Sequence, residues 1–482
     1  MRNVCWIRMA ALLAMLGVWA CSGGSGGEAV TTSPQPVVTS VAPTANSNSV
    51  ATSGLISATF DENMNAGSTS SFVVQGSQSG KLSGTYSGGG SATLNFDPAN
   101  NFVVGEEIEV TLTGALTSTQ GAGLETPFVF RFRVEAIGGT GAFADVQTVS
   151  GQTNAIALAV GDWDGDGDLD LAVANFGSNS VTILKNDGTG RFFASSTVAG
   201  QQGATALVAG DWDGDGDLDL AVANFGSNSV AILINDGTGL FSVSSTVAGQ
   251  QGAKGLAVGD WDGDGALDLA VANFSSNKVA ILMNDGTGRF SESSTVDNQQ
   301  GATALASGDF DGDGDLDLAV ANFGFDSIGI LKNDGTGLFT VSTTVSGQVG
   351  VKALVAGDWD GDGDLDLAAA NFGVDRVAIL KNDGTGHFVA TSSLSGQTGA
   401  TALVSGDWDG DGDLDLAVAN FGSASVAILL NTGAGSFVVS SANPGLVNVT
   451  GLAAGDWDGN GSLDLAAANN GAASVDILQN LP

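Results

Sequence analysis

Apolar and polar positions along this chain follow two rhythms. From residue 138 to residue 482, strand-length apolar runs come in fours, and each group of four returns after 49 residues. In one full unit, residues 204–210 lead into an acidic loop and residues 220–225 leave it as a nearly continuous apolar run. Residues 230–234 follow a Gly-Ser-Asn-Ser turn, and residues 241–247 follow Asn-Asp-Gly-Thr-Gly. Four strands in about 45–50 residues is the spacing of one propeller blade, and seven loops predict seven blades. The seventh unit stops after its third strand, at residues 475–478. Its missing fourth strand stands before the first loop, at residues 139–149, in register because Phe143 lies 49 residues before Phe192. The early strand is therefore expected to pair with the last blade and close the ring, leaving no free edge there.

Residues 37–136 keep a different rhythm. Short alternating runs at residues 55–60, 71–74, 92–96, 108–112 and 128–134 are separated by Gly, Asn and Pro turns. Roughly seven short strands in about 100 residues is the signature of a β-sandwich. Helix-period apolar stretches are absent after the start, so the expected fold class is all-β, a sandwich followed by a seven-bladed β-propeller over residues 138–482.

The loops carry the chemistry. They begin at Asp162, Asp211, Asp260, Asp309, Asp358, Asp407 and Asp456, and the first reads Asp162-Trp163-Asp164-Gly165-Asp166-Gly167-Asp168-Leu169-Asp170. Carboxylates at positions 1, 3, 5 and 9, with glycine at position 6 for the sharp turn, make an oxygen cage for a hard divalent cation. The formal charge is −38, from 14 basic and 52 acidic residues. That balance argues against nucleic-acid binding, which needs a basic surface. The seven loops hold 32 of the 52 acidic residues (five each in five loops, four in the third, three in the seventh). Carboxylates so crowded raise each other's pKa unless a cation sits among them.

With the preceding Gly and the following Leu-Ala, these loops resemble the FG-GAP/VCBS-type repeats of the integrin α-subunit head. The resemblance implies calcium, up to seven ions, held by side chains at positions 1, 3, 5 and 9 and by a backbone carbonyl at position 7. The implied metal sites are Asp162, Asp164, Asp166, Asp168 and Asp170, then Asp211, Asp213, Asp215, Asp217 and Asp219. The third holds Asp260, Asp262, Asp264, Ala266 and Asp268, and the fourth Asp309, Asp311, Asp313, Asp315 and Asp317. The fifth holds Asp358, Asp360, Asp362, Asp364 and Asp366, and the sixth Asp407, Asp409, Asp411, Asp413 and Asp415. The last holds Asp456, Asp458, Asn460, Ser462 and Asp464, and with one charge fewer at position 5 it should be weakest. A carbonyl ligand at position 7 tolerates Ala266 and Ser462. In residues 37–136, Val41-Ala42-Pro43, the run from Ala58 to Met64, Asn95-Phe96-Asp97-Pro98 and Phe130-Arg131-Phe132 resemble the bacterial Ig-like domain of S-layer and cell-surface proteins. No cluster of catalytic residue types occurs there, so the domain reads as a spacer.

Residues 1–20 are expected to be removed. Arg2 and Arg8 make a positive start, and residues 9–19 are too short an apolar run to span a bilayer. The sequence Val18-Trp19-Ala20-Cys21 resembles the lipobox of bacterial lipoproteins, although Trp19 departs from the usual small residue. That implies a lipid on Cys21 and a membrane partner, against the alternative of an ordinary secretory signal. Cys5, the other cysteine, lies in the removed segment, so no disulfide is expected. Residues 21–36, rich in Ser, Gly, Thr and Pro, form a flexible tether.

Position 2 of the loops is Trp in six cases and Phe310 in the fourth. These aromatics are expected to pack between blades rather than form a sugar-stacking ring. No catalytic or cofactor-binding residue is assigned: the single histidine, His387, stands where sister repeats have Arg191, Leu240, Arg289, Leu338 and Ser436. The expected function is a lipid-anchored binding or adhesion module of the cell envelope, at the outer membrane or cell surface, meeting a surface protein or glycan. The alternatives are a carbohydrate-binding lectin or a purely structural envelope protein. The partner face is expected opposite the metal loops, where Phe176, Phe225, Phe274, Phe323, Phe372 and Phe421 sit beside Asn residues in turns.

Overall fold

The computed structural model describes residues 34–482. The signal segment, Cys21 and most of the tether lie outside the described residues. The sandwich consists of two antiparallel four-stranded sheets. One orders Val38–Ala42, Ile56–Phe60, Thr93–Pro98 and Gly84–Ser87, and the other Gly80–Lys81, Phe72–Gly76, Glu107–Leu112 and Phe128–Arg133. Alternation drives it: in Ile56–Phe60 every second residue is buried, and Ile56, Phe72, Phe96, Val110 and Phe130 meet in one core. All five expected runs form strands. Val38–Ala42, Gly80–Lys81 and Gly84–Ser87 lie outside those runs, because they are too short or too polar to show a pattern.

Seven four-stranded sheets follow. Blade 1 runs through Ala155–Gly161, Asp170–Asn175, Ser180–Asn186 and Phe192–Ala199, and each later blade repeats it. The first strands of neighbouring blades contact one another all round the ring and so line the central channel. The second strand of every blade is buried along its whole length, which explains its unbroken apolar run, Leu-Ala-Val-Ala in five blades and Leu-Ala-Ala-Ala in two: a strand covered on both faces has no polar side. Blade 7 takes its outer strand from Phe143–Ser150, which pairs antiparallel with Ser474–Asn480 and sets Val149 opposite Val475. Ring closure by the early strand is thus observed in the expected register.

Apolar clusters fill the space between blades. Trp163 is fully buried and meets Phe241 of blade 2 edge-on, with ring centroids 5.6 Å apart. Trp408 and Phe143, and Trp457 and Phe192, repeat the contact across the closure. The position-2 aromatics are blade-to-blade packing, as expected.

The Ig-like domain does not stand off as a spacer. It is seated on the metal-loop face, where loop backbones offer outward carbonyls and the domain's strands and turns offer donors. The position-6 carbonyls of four loops accept from it or from the linker that leaves it: Gly265 from Gln75 Nε2 (3.3 Å), Gly314 from the Val129 amide (2.9 Å), Gly363 from Asn46 Nδ2 (3.1 Å) and, from the linker, Gly461 from the Ile137 amide (2.8 Å). Arg131 reaches the channel, donating to the Ser307 hydroxyl at 2.8 Å and the Val258 carbonyl at 2.9 Å while paired with Glu109 at 2.6 Å. Beneath it lies a cavity of about 460 Å³, walled by Leu158, Leu207, Leu354 and Leu403.

Candidate metal centres

Each acidic loop connects the first and second strands of its blade, and the backbone folds it around its own carboxylates. In loop 1, Asp162 accepts from the amides of Gly165 (2.8 Å, Oδ1) and Gly167 (3.0 Å, Oδ2). Asp170, the first residue of the second strand, accepts from the Trp163 amide at 3.3 Å and the Asn186 amide at 2.8 Å. These bonds converge the loop, so that one carboxylate oxygen from each of Asp162, Asp164 and Asp170 falls within 4.8 Å of the other two. The same positions cluster as Asp211, Asp213 and Asp219, as Asp260, Asp262 and Asp268, as Asp309, Asp311 and Asp317, and as Asp358, Asp360 and Asp366, with two further groups.

Positions 1, 3 and 9 are therefore brought together. Positions 5 and 7 lie outside that triad: Asp166 accepts from the Asp168 amide at 3.0 Å, and Asp168 faces the Asn-Asp-Gly-Thr-Gly turn. A side chain on Gly188 of that turn would sit 2.5 Å from Asp168 Oδ2, and its φ of 75° favours glycine besides. Metal loops and these turns share one face, as their strand directions predict.

The clusters fit a cation. Asp164 Oδ1, Asp311 Oδ1, Asp360 Oδ1 and Asp409 Oδ1 are shielded from water and have no hydrogen-bond partner, and only in the first three does a lysine meet the other oxygen of the same carboxylate. An orphaned buried carboxylate oxygen is costly without a positive charge beside it. The position-9 carboxyls show that cost directly. Burial, with repulsion from Asp164 and Asp166 adding to it, raises Asp170 to about 7 despite two backbone donors. Asp219, Asp317 and Asp415 are raised to about 8 and Asp268 to about 9, burial leading in each. All ligand atoms are hard oxygens, the donor set of calcium or magnesium rather than of softer metals.

Two sets of residues were not foreseen. The third strand of three blades carries a lysine that reaches the position-3 carboxylate: Lys185 to Asp164 at 2.5 Å, Lys332 to Asp311 and, at 3.1 Å, Asp313, and Lys381 to Asp360. Gln479 does the same to Asp458 in blade 7. Blades 2, 3 and 6 have Ile234, Met283 and Leu430 there. The signal was present as a position in the third strand that varies between lysine or glutamine and an apolar residue from blade to blade. The second set is the Asn that opens each Asn-Asp-Gly-Thr-Gly turn, whose own 49-residue recurrence marked it. Asn186 Nδ2 donates to the Trp457 carbonyl of the neighbouring loop at 2.8 Å, and its Oδ1 accepts from Gly190 at 3.1 Å.

On the opposite face, the turn asparagines are not free to recognise anything. Asn175 is buried and donates to Gln152 at 3.0 Å, and Asn224, Asn273, Asn322, Asn371 and Asn420 repeat this with the buried Gln of the preceding linker. They cross-brace the blades, because a turn amide beside a strand end must satisfy backbone-like donors away from water. The phenylalanines do remain at the surface. Phe176 and Phe421 are exposed and the other four half-buried. His387 is exposed and lies 3.4 Å from Asp383, apart from every cluster.

Three comparisons bear on this architecture. No curated protein matches the chain. Among solved structures, virginiamycin B lyase from Staphylococcus aureus is 11% identical with a TM-score of 0.50, over 70% of this chain and 99% of that one. A protein from Lactobacillus plantarum is 18% identical, also at 0.50, over 63% and 91%. BBS1N in complex with ARL6DN, soaked with lead, is 17% identical at 0.50, over 71% and 98%. At these identities the likeness is one of fold. The bacterial Ig-like domain matches residues 32–134. The FG-GAP-like repeat matches six overlapping windows, 162–222, 211–271, 260–320, 309–369, 358–418 and 407–467, which together run through more than half of the chain. Carrying those repeats on seven closed blades, each with its acidic loop in place, the chain belongs to the FG-GAP-like repeat family.

Proposed function

We propose that this chain is exported, anchored by a lipid on Cys21, and works as a calcium-stabilised binding or adhesion module of the bacterial cell envelope. The observation that carries the reading is the seating of the Ig-like domain on the metal-loop face. With that face covered, the end of the ring bearing the phenylalanine turns is left for a partner, either a surface protein or a glycan. Near-identical blades present those turns repeatedly around one ring, so weak single contacts combine by avidity on a polymer or crowded surface. Calcium suits the loops better than magnesium, which demands a compact octahedron and keeps several waters. The ions act structurally: they neutralise buried carboxylates that otherwise repel.

The test is attachment of the full chain to envelope material. Changing Phe176, Phe225 and Phe421 to Ala should abolish attachment while calcium binding and the melting temperature persist. Attachment lost instead on altering the metal-loop face would reverse the assignment. Replacing Cys21 with Ala should move the protein out of the membrane fraction.

A further inference from the structure

Near-identical repeats make departures from the repeat informative, and on the free face two lysines and an exposed aromatic depart together in one sector, over blades 3 to 5. The second residue of each channel-lining strand is Ile156, Thr205, Thr303, Thr401 or Thr450 in five blades, but Lys254 in blade 3 and Lys352 in blade 5. These strands run towards the metal loops, so their second residues stand at the channel's opposite mouth, and the blade 4 strand packs against both its neighbours. The two lysines therefore flank Thr303, whose hydroxyl is held by the Ala321 and Val351 carbonyls at 3.2 Å each. Lys254 Nζ lies 4.5 Å from the centre of the Phe274 ring, and Lys352 Nζ 3.4 Å from that of Phe372. The free-face turn differs in the same sector. Where sister blades carry Ser178, Ser227, Ser276 and Ser423, blade 4 has Phe325, 53% exposed, and blade 5 has Val374, 43% exposed.

Neither lysine takes part in an ion pair or hydrogen bond among the described residues, in a chain of charge −38. Both are half-buried. Burial holds both ammonium groups below their usual range, and the proximity of Lys254 adds to the effect on Lys352. Asp326 and Asp375, on the free-face turns of blades 4 and 5, are turned onto the amides of Gly350 (2.8 Å) and Gly399 (2.7 Å) and pair with neither nitrogen. Two cations held over aromatic rings at a channel mouth, with no internal counter-ion, favour an external anion. An exposed aromatic on the blade between them favours one that carries a ring face to stack.

We propose that this mouth binds an acidic sugar residue of a polysaccharide, its carboxylate or sulfate between Lys254 and Lys352 and its ring against Phe325. The proposal rests on the reading of the free face as the partner surface, and names the ligand's chemistry there.

The experiment titrates the full, calcium-loaded chain with four probes of similar length: an oligogalacturonate, a sulfated oligosaccharide, a neutral oligosaccharide and poly-glutamate. The variants are the Lys254→Thr/Lys352→Thr pair and Phe325→Ser, each reverting to the residue that sister blades already carry, so the fold is kept and an unchanged melting temperature verifies it. The expected result is binding of an acidic glycan, weakened at least roughly tenfold by the lysine pair and also by Phe325→Ser, with little binding of the neutral probe. Which acidic probe binds distinguishes carboxylate from sulfate. Equal binding of the neutral probe, insensitive to the lysine pair, overturns the proposal yet leaves the free face as the partner surface. Equal or tighter binding of poly-glutamate overturns the sugar in favour of an acidic peptide, and binding of no probe overturns the site. Loss of envelope attachment only on altering the metal-loop face overturns the reading beneath it.

Discussion

Asn235, at the end of the third strand of blade 2, donates its side-chain amide to the Trp163 carbonyl in the metal loop of blade 1, at 2.9 Å. Its backbone amide donates to Asp219 Oδ1 at 2.8 Å, in the metal loop of its own blade. One residue thus ties two neighbouring loops together, and Asn284, Asn333, Asn382, Asn431 and Asn480 carry the tie onward to Trp212, Trp261, Phe310, Trp359 and Trp408. The acidic loops form a hydrogen-bonded belt around the ring rather than seven separate sites.

Replacing Asn235 with Ala should therefore do more than a surface change. It strands the buried carbonyls of Trp163 and Leu218 and the Gly239 amide. Each unpaired buried group costs about 1–3 kcal/mol. The melting temperature should drop by several degrees, and calorimetric calcium titration should show weaker binding at more than one site. A variant that melts like the parent would remove the belt from the account.

The lysines at the clusters predict unequal sites. Lys332 places a positive charge on Asp311 and Asp313, and an incoming ion must displace it. Lys332→Met, which copies Met283 of blade 3, should raise calcium affinity at that site by about 0.2–1 kcal/mol, up to roughly fivefold, the range for a partly exposed ion pair. Ile234→Lys in blade 2 should do the reverse. Isothermal titration that finds no change from either would show that the lysine swings clear at no cost.

The pH dependence should invert between metal-free and metal-loaded protein. The position-9 carboxyls are raised to about 7 in Asp170, about 8 in Asp219 and about 9 in Asp268. Their unfolded value is about 3.9. Folding thus favours the protonated form, so this contribution is fully present below pH ~4 and is lost as pH rises through ~7–9. In chelator, the melting temperature should fall between pH 5 and pH 8.5. With calcium it should rise over the same range, because the ion binds deprotonated carboxylates. A flat profile in chelator would mean that these side chains leave the cluster when no ion is bound.

Chelation should also unseat the Ig-like domain. Its bonds to Gly265, Gly314, Gly363 and Gly461 require loops held in shape, whereas its own core around Phe72, Phe96 and Phe130 is independent of them. Each ion at 100 times its Kd contributes about 2.7 kcal/mol to the propeller. Removing calcium should therefore lower the propeller transition strongly, expose residues 135–142 to protease and enlarge the particle in solution scattering. The sandwich should stay folded. An unchanged scattering profile would show that docking does not depend on the loops.

Deleting residues 138–149 should damage blade 7 far more than a surface deletion of equal length. Phe143–Ser150 is the outer strand there, and Phe143 meets Trp408 of blade 6 edge-on. Calorimetry showing the parent transition would reject closure by this strand.

Period and pattern alone determined much of this molecule. A 49-residue repeat, four apolar runs per unit and a displaced fourth strand specify seven blades and their closure, because each feature is local and the repeat runs without slippage. The acidic loops were equally legible: Asp162, Asp164 and Asp170 meet through hydrogen bonds closed within a few residues or one strand. Relations between distant segments were not legible. Nothing in the order of residues says that Gln75 faces Gly265, or that Arg131 reaches Val258 through the channel mouth. Such contacts come from the docking of two surfaces far apart in the sequence, which no local pattern encodes. The asparagines of the free-face turns read as a recognition surface, but only packing shows Asn175 spent on Gln152. Lys254 and Lys352 stand 98 residues apart in the sequence, and only the ring places both at one mouth, on either side of Thr303.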